Sequence, residues 1–435
     1  MELESIQEIS NKKIGLWEAV AMAVGTMIGA SIFSIFGVGA KIAGRNLPEA
    51  FVLSGVFALI VAYSYAKLGS KIISNGGPIA FILKGIGDSV VTGALAILMW
   101  LSFVVSISMF AKGFAGYFLP LVHIEATTFA TSLTEIILIS FFTALSTFGS
   151  KAVGASEFYI VLVKLLVLGV FIAVGLSSIS SSNITPSVSA SGLGGTLSAA
   201  VVFFLSYMGF GLITNASEHM ENPSRNVPRA IYISIAIVMF IYVAVSVVAV
   251  GNLSIPDLIK AQENALAVAA EPFLGSFGFI LISIGALFSI SSALNATLYG
   301  GANVAYSFAK DGELPEFFER KVWFKSTEGL YITAALGFFF ATAFNIGAIA
   351  TITSSIFTII YLFVLISHFR LAKEYGGSKI FIVVNIAVLC AVLAALLRYQ
   401  WQTQRVAFYG TFITLAGSVI IEYVYRKLRQ RQFIR

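Results

Sequence analysis

Charge is what this sequence has least of. Only 11% of its 435 residues are Asp, Glu, Lys or Arg, less than half of the roughly 25% found in soluble chains. Apolar residues make up 58% and aromatic residues 13%, and the mean hydropathy is +0.93. That balance excludes a soluble enzyme, a disordered chain and a nucleic-acid binder. Cysteine is almost absent: Cys390 alone excludes a disulfide framework and a thiolate metal site. The three histidines, His123, His219 and His368, lie far apart in the chain. Neither a metal nor a cofactor is expected.

What fills the chain instead is a series of apolar stretches about 20 residues long, the length that crosses a bilayer as a helix. They cover 15–41, 47–73, 89–121, 132–149, 154–178, 195–216, 229–252, 272–300, 329–346, 348–369, 379–398 and 405–425. These predict about twelve spans and leave no room for a soluble domain. The first is expected to stay in place rather than be cleaved as a signal peptide. It is too long, and Met1–Ser10 is acidic where a signal peptide is basic.

Lysine and arginine set the expected orientation. With the N-terminus inside, about 20 of the 27 basic residues fall on the cytoplasmic side and about 6 outside. The inside set includes Lys67, Lys71, Arg225, Lys310, Arg370 and the cluster Arg426–Arg435; the outside set includes Lys41, Lys112 and Lys260. Both termini are then cytoplasmic in a multi-pass protein of the cell membrane, with the basic tail against anionic headgroups. The net charge of +6 thus reflects topology. No nucleic-acid partner is expected.

Spans one and six share an unusual composition. Span one carries Gly25-Thr26-Met27-Ile28-Gly29-Ala30-Ser31 at its middle, and span six carries Ser206-Tyr207-Met208-Gly209-Phe210-Gly211. Each opens a block of five spans, and an odd number of spans inverts the second block relative to the first. Interrupted helices at matching positions of two inverted halves point to a carrier's binding site. Close helix packing through small residues is the plainer explanation for either segment alone.

Acidic residues are nearly confined to loops. Glu18 and Glu135 lie near span ends and Glu422 near the inner end of span twelve, which argues against a carboxylate proton relay at mid-depth. Lys164 is the exception. It stands at least roughly ten residues, about 15 Å, from either end of span five, too deep for its stem to reach the interface. An ammonium there costs at least about 2.5–3.5 kcal/mol, so a specific partner is expected. It reads either as a titratable coupling site or as a structural lysine held by backbone carbonyls. Span eight offers hydroxyls at the same depth in Ser289, Ser291 and Ser292, with Asn295 and Thr297 beyond.

A break in span one would free helix amides that suit a carboxylate. A break in span six would expose carbonyls that suit an ammonium. The two together suit a zwitterion. Phe203, Phe204, Tyr207 and Phe210 surround that point, with no charge to pair a charged substrate side chain. Phe210, beside the glycines, is the aromatic expected to touch substrate.

Three motifs carry a resemblance. Gly25–Phe33 (GTMIGASIF) resembles the span-one signature of the amino acid–polyamine–organocation (APC) superfamily. Glu221–Ile231 (ENPSRNVPRAI) is similar to its loop after span six, and Ala309–Pro315 (AKDGELP) to its loop after span eight. They occur in the right order over essentially the whole chain, and Lys164 narrows the likeness to proton-coupled, broad-specificity amino-acid transporters. The resemblance implies an all-α leucine-transporter-type fold of five plus five inverted spans, with helices one and six broken. One membrane domain over 1–435 would hold a first repeat at 14–178, a second at 195–369 and two further helices at 379–425. It also implies roles. Lys164 would replace the cation of sodium-coupled relatives, bonded to the Gly25 carbonyl and the Ser289 hydroxyl. The substrate carboxylate would rest on amides of Thr26, Met27, Ile28, Gly29, Ala30 and Ser31. Its amine would meet carbonyls near Phe203, Phe204, Leu205 and Ser206.

The expected activity is import of amino acids, mainly neutral, by proton symport through alternating access, with amino acid, proton and lipid bilayer as partners. An amino-acid exchanger with Lys164 as a fixed cation stays open. A sodium symporter fits less well, because the ammonium would fill the cation site. A non-transporting sensor would need an output domain, and polyamine transport would need pocket carboxylates. No HExxH motif or nucleotide-binding glycine loop suggests an enzyme.

Overall fold

In hydrocarbon no water can serve a backbone amide, so an apolar chain satisfies its hydrogen bonds internally as helices. A computed structural model describes residues 13–74, 76–147, 151–180, 183–310, 318–322 and 327–429. Residues 311–315 of the third motif and 430–435 of the basic tail lie outside them. Among the described residues, β structure is limited to two isolated bridges, Ile14–Met220 and Lys321–Thr327.

The helices run in order as α1 (Leu16–Ser34), α2 (Phe36–Ala43), α3 (Leu47–Gly69), α4 (Gly77–Ile86) and α5 (Val90–Leu121). Next come α6 (Thr128–Thr147), α7 (Lys151–Gly175) and α8 (Ala190–Phe203), then a 3-10 stretch, Phe204–Phe210, leading into α9 (Gly211–Asn215). α10 (Pro223–Asn252), α11 (Ile255–Ala261), a 3-10 turn at Gln262–Asn264 and α12 (Ala265–Lys310) follow. The chain closes with α13 (Glu328–Ala343), α14 (Ile346–Tyr375), α15 (Lys379–Thr403) and α16 (Arg405–Arg429). Among the described residues, eleven helical segments are long and apolar enough to cross a membrane. α13, with 16 residues, reaches about 24 Å, short of a hydrocarbon core of about 30 Å. This is a multi-pass helical membrane protein.

α1 lies at the centre, packed against α5, α7, α10, α12 and the 3-10 stretch. Small residues make that closeness possible. A β-carbon on Gly29 would stand 2.7 Å from that of Ala293 on α12. One on Gly209 would stand 3.0 Å from both the Ala23 carbonyl and the Met27 amide. Side chains there would push the helices apart.

The interruption of span six falls where the sequence puts it, as the 3-10 stretch Phe204–Phe210. The interruption of span one does not. α1 is helical without a break from Leu16 to Ser34, and the bend comes at Ile35 (φ −115°, ψ 9°). The physical reason is visible at Gly29: its missing side chain admits α12, so here the glycine serves packing rather than unwinding. α12 itself is interrupted at Gly275, whose φ is +61°.

Two ends of the bundle differ. At one end, called the basal end below, Ile14 pairs with His219 and Glu221 through the backbone at 2.8 and 2.9 Å. There the Ser217 hydroxyl donates to the Ser74 carbonyl at 3.2 Å, and Arg426 pairs with Asp88. At the other end, α11 and the Gln262–Asn264 turn cover α2 and α5.

Candidate functional site

A cavity of about 800 Å³ runs from the middle of the bundle to the basal end. Its inner wall is formed by Thr26, Met27 and Ser31 of α1 and by Leu205, Ser206 and Met208 of the 3-10 stretch. Its mouth is at Ser74, Gly76 and Glu218, of which Gly76 and Glu218 are exposed. Glu218 is the only formally charged side chain among the described lining residues. The deep part is walled by hydroxyls, thioethers and aromatic rings.

Of the residues predicted to hold substrate, the structure brings Thr26, Met27, Ser31, Leu205 and Ser206 together around this cavity. Apart from Ala30, the others are outside its wall. Ile28 is buried, and Gly29 faces α12. Phe203 stacks on Phe51 with centroids 4.2 Å apart. Phe204 meets Phe57 edge-on, and Phe210 stacks on Tyr361 at 5.7 Å. The side chain of Ala30 lies outside the described residues. The amides of 26–31 belong to a continuous helix, and the Thr26 hydroxyl donates to the Met22 carbonyl at 2.9 Å. A carboxylate cradle therefore requires α1 to open locally.

The predicted coupling residues gather on α1. α7 turns Leu162, Val163 and Leu166 outward, exposed by 54, 47 and 62%, and Val161, Lys164, Val167, Leu168 and Phe171 inward. Lys164 is 1% exposed and its Nζ donates to the Gly25 carbonyl at 2.8 Å. The Ser289 hydroxyl, on α12, donates to the Gly29 carbonyl at 3.3 Å. A charge-assisted bond in so dry a place is stronger than its counterpart in water. Helices α7 and α12 thus both reach α1 just behind the cavity wall.

Two further hydroxyls act in the same way, and sequence reasoning missed both. Tyr242 of α10 donates to the Met27 carbonyl and lies 3.3 Å from the Ser206 carbonyl. It therefore ties the wall contributed by α1 to the wall contributed by the 3-10 stretch. Tyr117 of α5 donates to the Phe33 carbonyl at 3.0 Å. Carbonyls of residues 25, 27, 29 and 33 each receive a side-chain donor from a different helix. A tyrosine in an apolar run carries no sign of this role, because its partner is 215 positions away.

A sequence profile of the amino acid permease family matches residues 14–421. An uncharacterised protein of Methanocaldococcus jannaschii is 65% identical over 426 residues, covering 98% of each chain. The inner membrane transport protein YbaT of Escherichia coli is 31% identical over 421 residues, 96% of this chain and 97% of its own. The methylthioribose transporter of Bacillus subtilis is 26% identical over 455 residues, 98% of this chain and 96% of its own.

Proposed function

The chain belongs to the amino acid permease family of the APC superfamily, whose members are transporters rather than enzymes, and from that premise we propose that it imports mainly neutral amino acids by proton symport. The observation that carries this reading is Lys164: a lysine buried in a membrane span and bonded to the carbonyl of Gly25, directly behind the substrate cavity. Protonated, it holds α7 to α1. Once it loses the proton, that charge-assisted bond is gone and α1 is freer to move. Proton loss and a change of access are then linked, which is what symport needs.

The cavity supports the substrate class. Among the described lining residues, its deep wall has hydroxyls for the polar groups of a zwitterion and no charge for a charged side chain. With the N-terminus inside, the basal mouth faces the cytoplasm of a cell-membrane protein, and the arrangement is the inward-open one. Alternating access is a rocking of the bundle around α1 and the 3-10 stretch, and α15 and α16 stand outside the two five-span repeats.

Exchange is the second reading, because the bond from Lys164 to Gly25 also suits a fixed structural cation. Labelled alanine uptake into proteoliposomes separates the two. Under symport, an inward proton gradient drives accumulation in the parent protein, an inward sodium gradient does not, and Lys164→Ala abolishes the proton-driven part. Uptake that ignores both gradients but rises when the lumen is preloaded with amino acid would establish exchange.

A further inference from the structure

A second group of ionisable side chains lies at the end opposite the cavity mouth. Glu135 on α6 is 0% exposed. Its Oε1 accepts from Lys112 of α5 at 3.2 Å, and its Oε2 is buried with no hydrogen-bond partner. Glu263 belongs to the Gln262–Asn264 turn that covers this end. It packs on the same stretch of α5: its β-carbon is 2.3 Å from where one on Gly116 would stand. It interacts electrostatically with both Lys112 and Glu135.

The turn is pressed down on the bundle. The Gln262 carbonyl sits 2.2 Å from where a β-carbon on Gly37 of α2 would stand, and Gln262 itself takes a left-handed φ of +51°. Seated in this way, the turn brings the half-buried Glu263 to the stretch of α5 where the fully buried Glu135 meets the partly exposed Lys112. The other ionisable groups nearby do not balance the two carboxyls. The Tyr117 hydroxyl is committed to the Phe33 carbonyl. Lys41 on α2, Arg45 just after it, His123 and Glu125 between α5 and α6, Asp257 and Lys260 on α11 and Glu271 on α12 are exposed.

Three ionised groups would leave one uncompensated negative charge and a carboxylate oxygen without a donor, an arrangement that burial opposes. One added proton on either carboxyl removes the excess charge. We propose that Glu135 and Glu263, facing Lys112, form a second proton-binding site that is loaded when the Gln262–Asn264 turn is seated and unloaded when it lifts. Lifting returns Glu263 to water, where both carboxyls ionise. The seated form binds the extra proton, so seating is favoured as pH falls and weakens as pH rises. This site is separate from Lys164 and does not rest on the role given to that residue.

The test is the distance between the covering segment and the connection that follows α5, as a function of pH. Spin labels at Lys260→Cys and Ile124→Cys, both exposed positions, in a Cys390→Ser background report it by electron–electron double resonance in the full-length protein. The parent should shift from a short to a longer distance between pH 5 and 8. The population ratio should change by up to about tenfold per pH unit for one linked proton. Glu135→Gln and Glu263→Gln should each stay short throughout, and Lys164→Ala should keep the parent's response. A parent distance indifferent to pH would overturn the proposal. So would a response that survives in both glutamine variants, or one lost only in Lys164→Ala, which would assign the proton to Lys164.

Discussion

Tyr242→Phe removes one oxygen and leaves the ring in place. The hydroxyl donates to the Met27 carbonyl and approaches that of Ser206 at 3.3 Å, so it holds the two halves of the cavity wall in register. A buried hydrogen bond of this kind contributes about 0.5–1.5 kcal/mol net. In a chain of this size that is a drop of about 1–2 °C in melting temperature. If the carbonyls it positions receive the substrate amine, a loss of that size also appears in binding, as a rise of about twofold to tenfold in apparent KM for alanine. Tyr117→Phe is the matched control. It removes the same chemistry from the same central helix, at Phe33, away from the cavity wall. It should cost similar stability and leave KM unchanged. A Tyr242→Phe protein that is destabilised but keeps its KM would refute the reasoning and reduce Tyr242 to a packing residue.

Two glycines give further tests. In Gly209→Ala the new β-carbon meets the Ala23 carbonyl and the Met27 amide at 3.0 Å, and backbone atoms cannot swing aside. The 3-10 stretch should lift from α1 at a cost of about 1–3 kcal/mol, seen as a lower melting temperature and lost uptake; parental values for both would contradict the packing account. In Gly93→Ala the β-carbon lands 2.2 Å from the carboxyl carbon of Glu422, which is buried and paired with Arg426 at 3.1 Å. The variant should loosen α16, and adding Gly93→Ala to Glu422→Ala should cost little more. Fully additive melting shifts would show that the two residues do not meet.

Much of this arrangement could be read along the chain. Spans are legible because length and hydropathy follow directly from the thickness of hydrocarbon. The interruption at Phe204–Phe210 is legible because paired glycines and small polar residues stand at matching positions of spans one and six. Lys164 stands out because no interface is within its reach. Other features depend on what lies across the bundle. Gly25 and Gly29 suggest an opening of span one, yet α12 approaches through Gly29 and the bend comes at Ile35. Phe203, Phe204 and Phe210 look like pocket residues, but each packs on another ring, Phe210 on the Tyr361 that lines the cavity in its place. Glu135 reads as a carboxylate near a span end. It is fully buried because Lys112, 23 positions earlier, comes to meet it.

Luminal pH tests the central claim, that amino acid and proton move together, most directly. Proteoliposomes loaded with a pH-sensitive dye, with no imposed gradient and potassium and valinomycin to dissipate charge, receive external alanine. Symport through Lys164 predicts acidification of the lumen in step with alanine entry. Lys164→Met, which keeps side-chain bulk without the charge, should let alanine equilibrate with no acidification. Alanine entry without any pH change in the parent protein, or undiminished acidification in Lys164→Met, would contradict it.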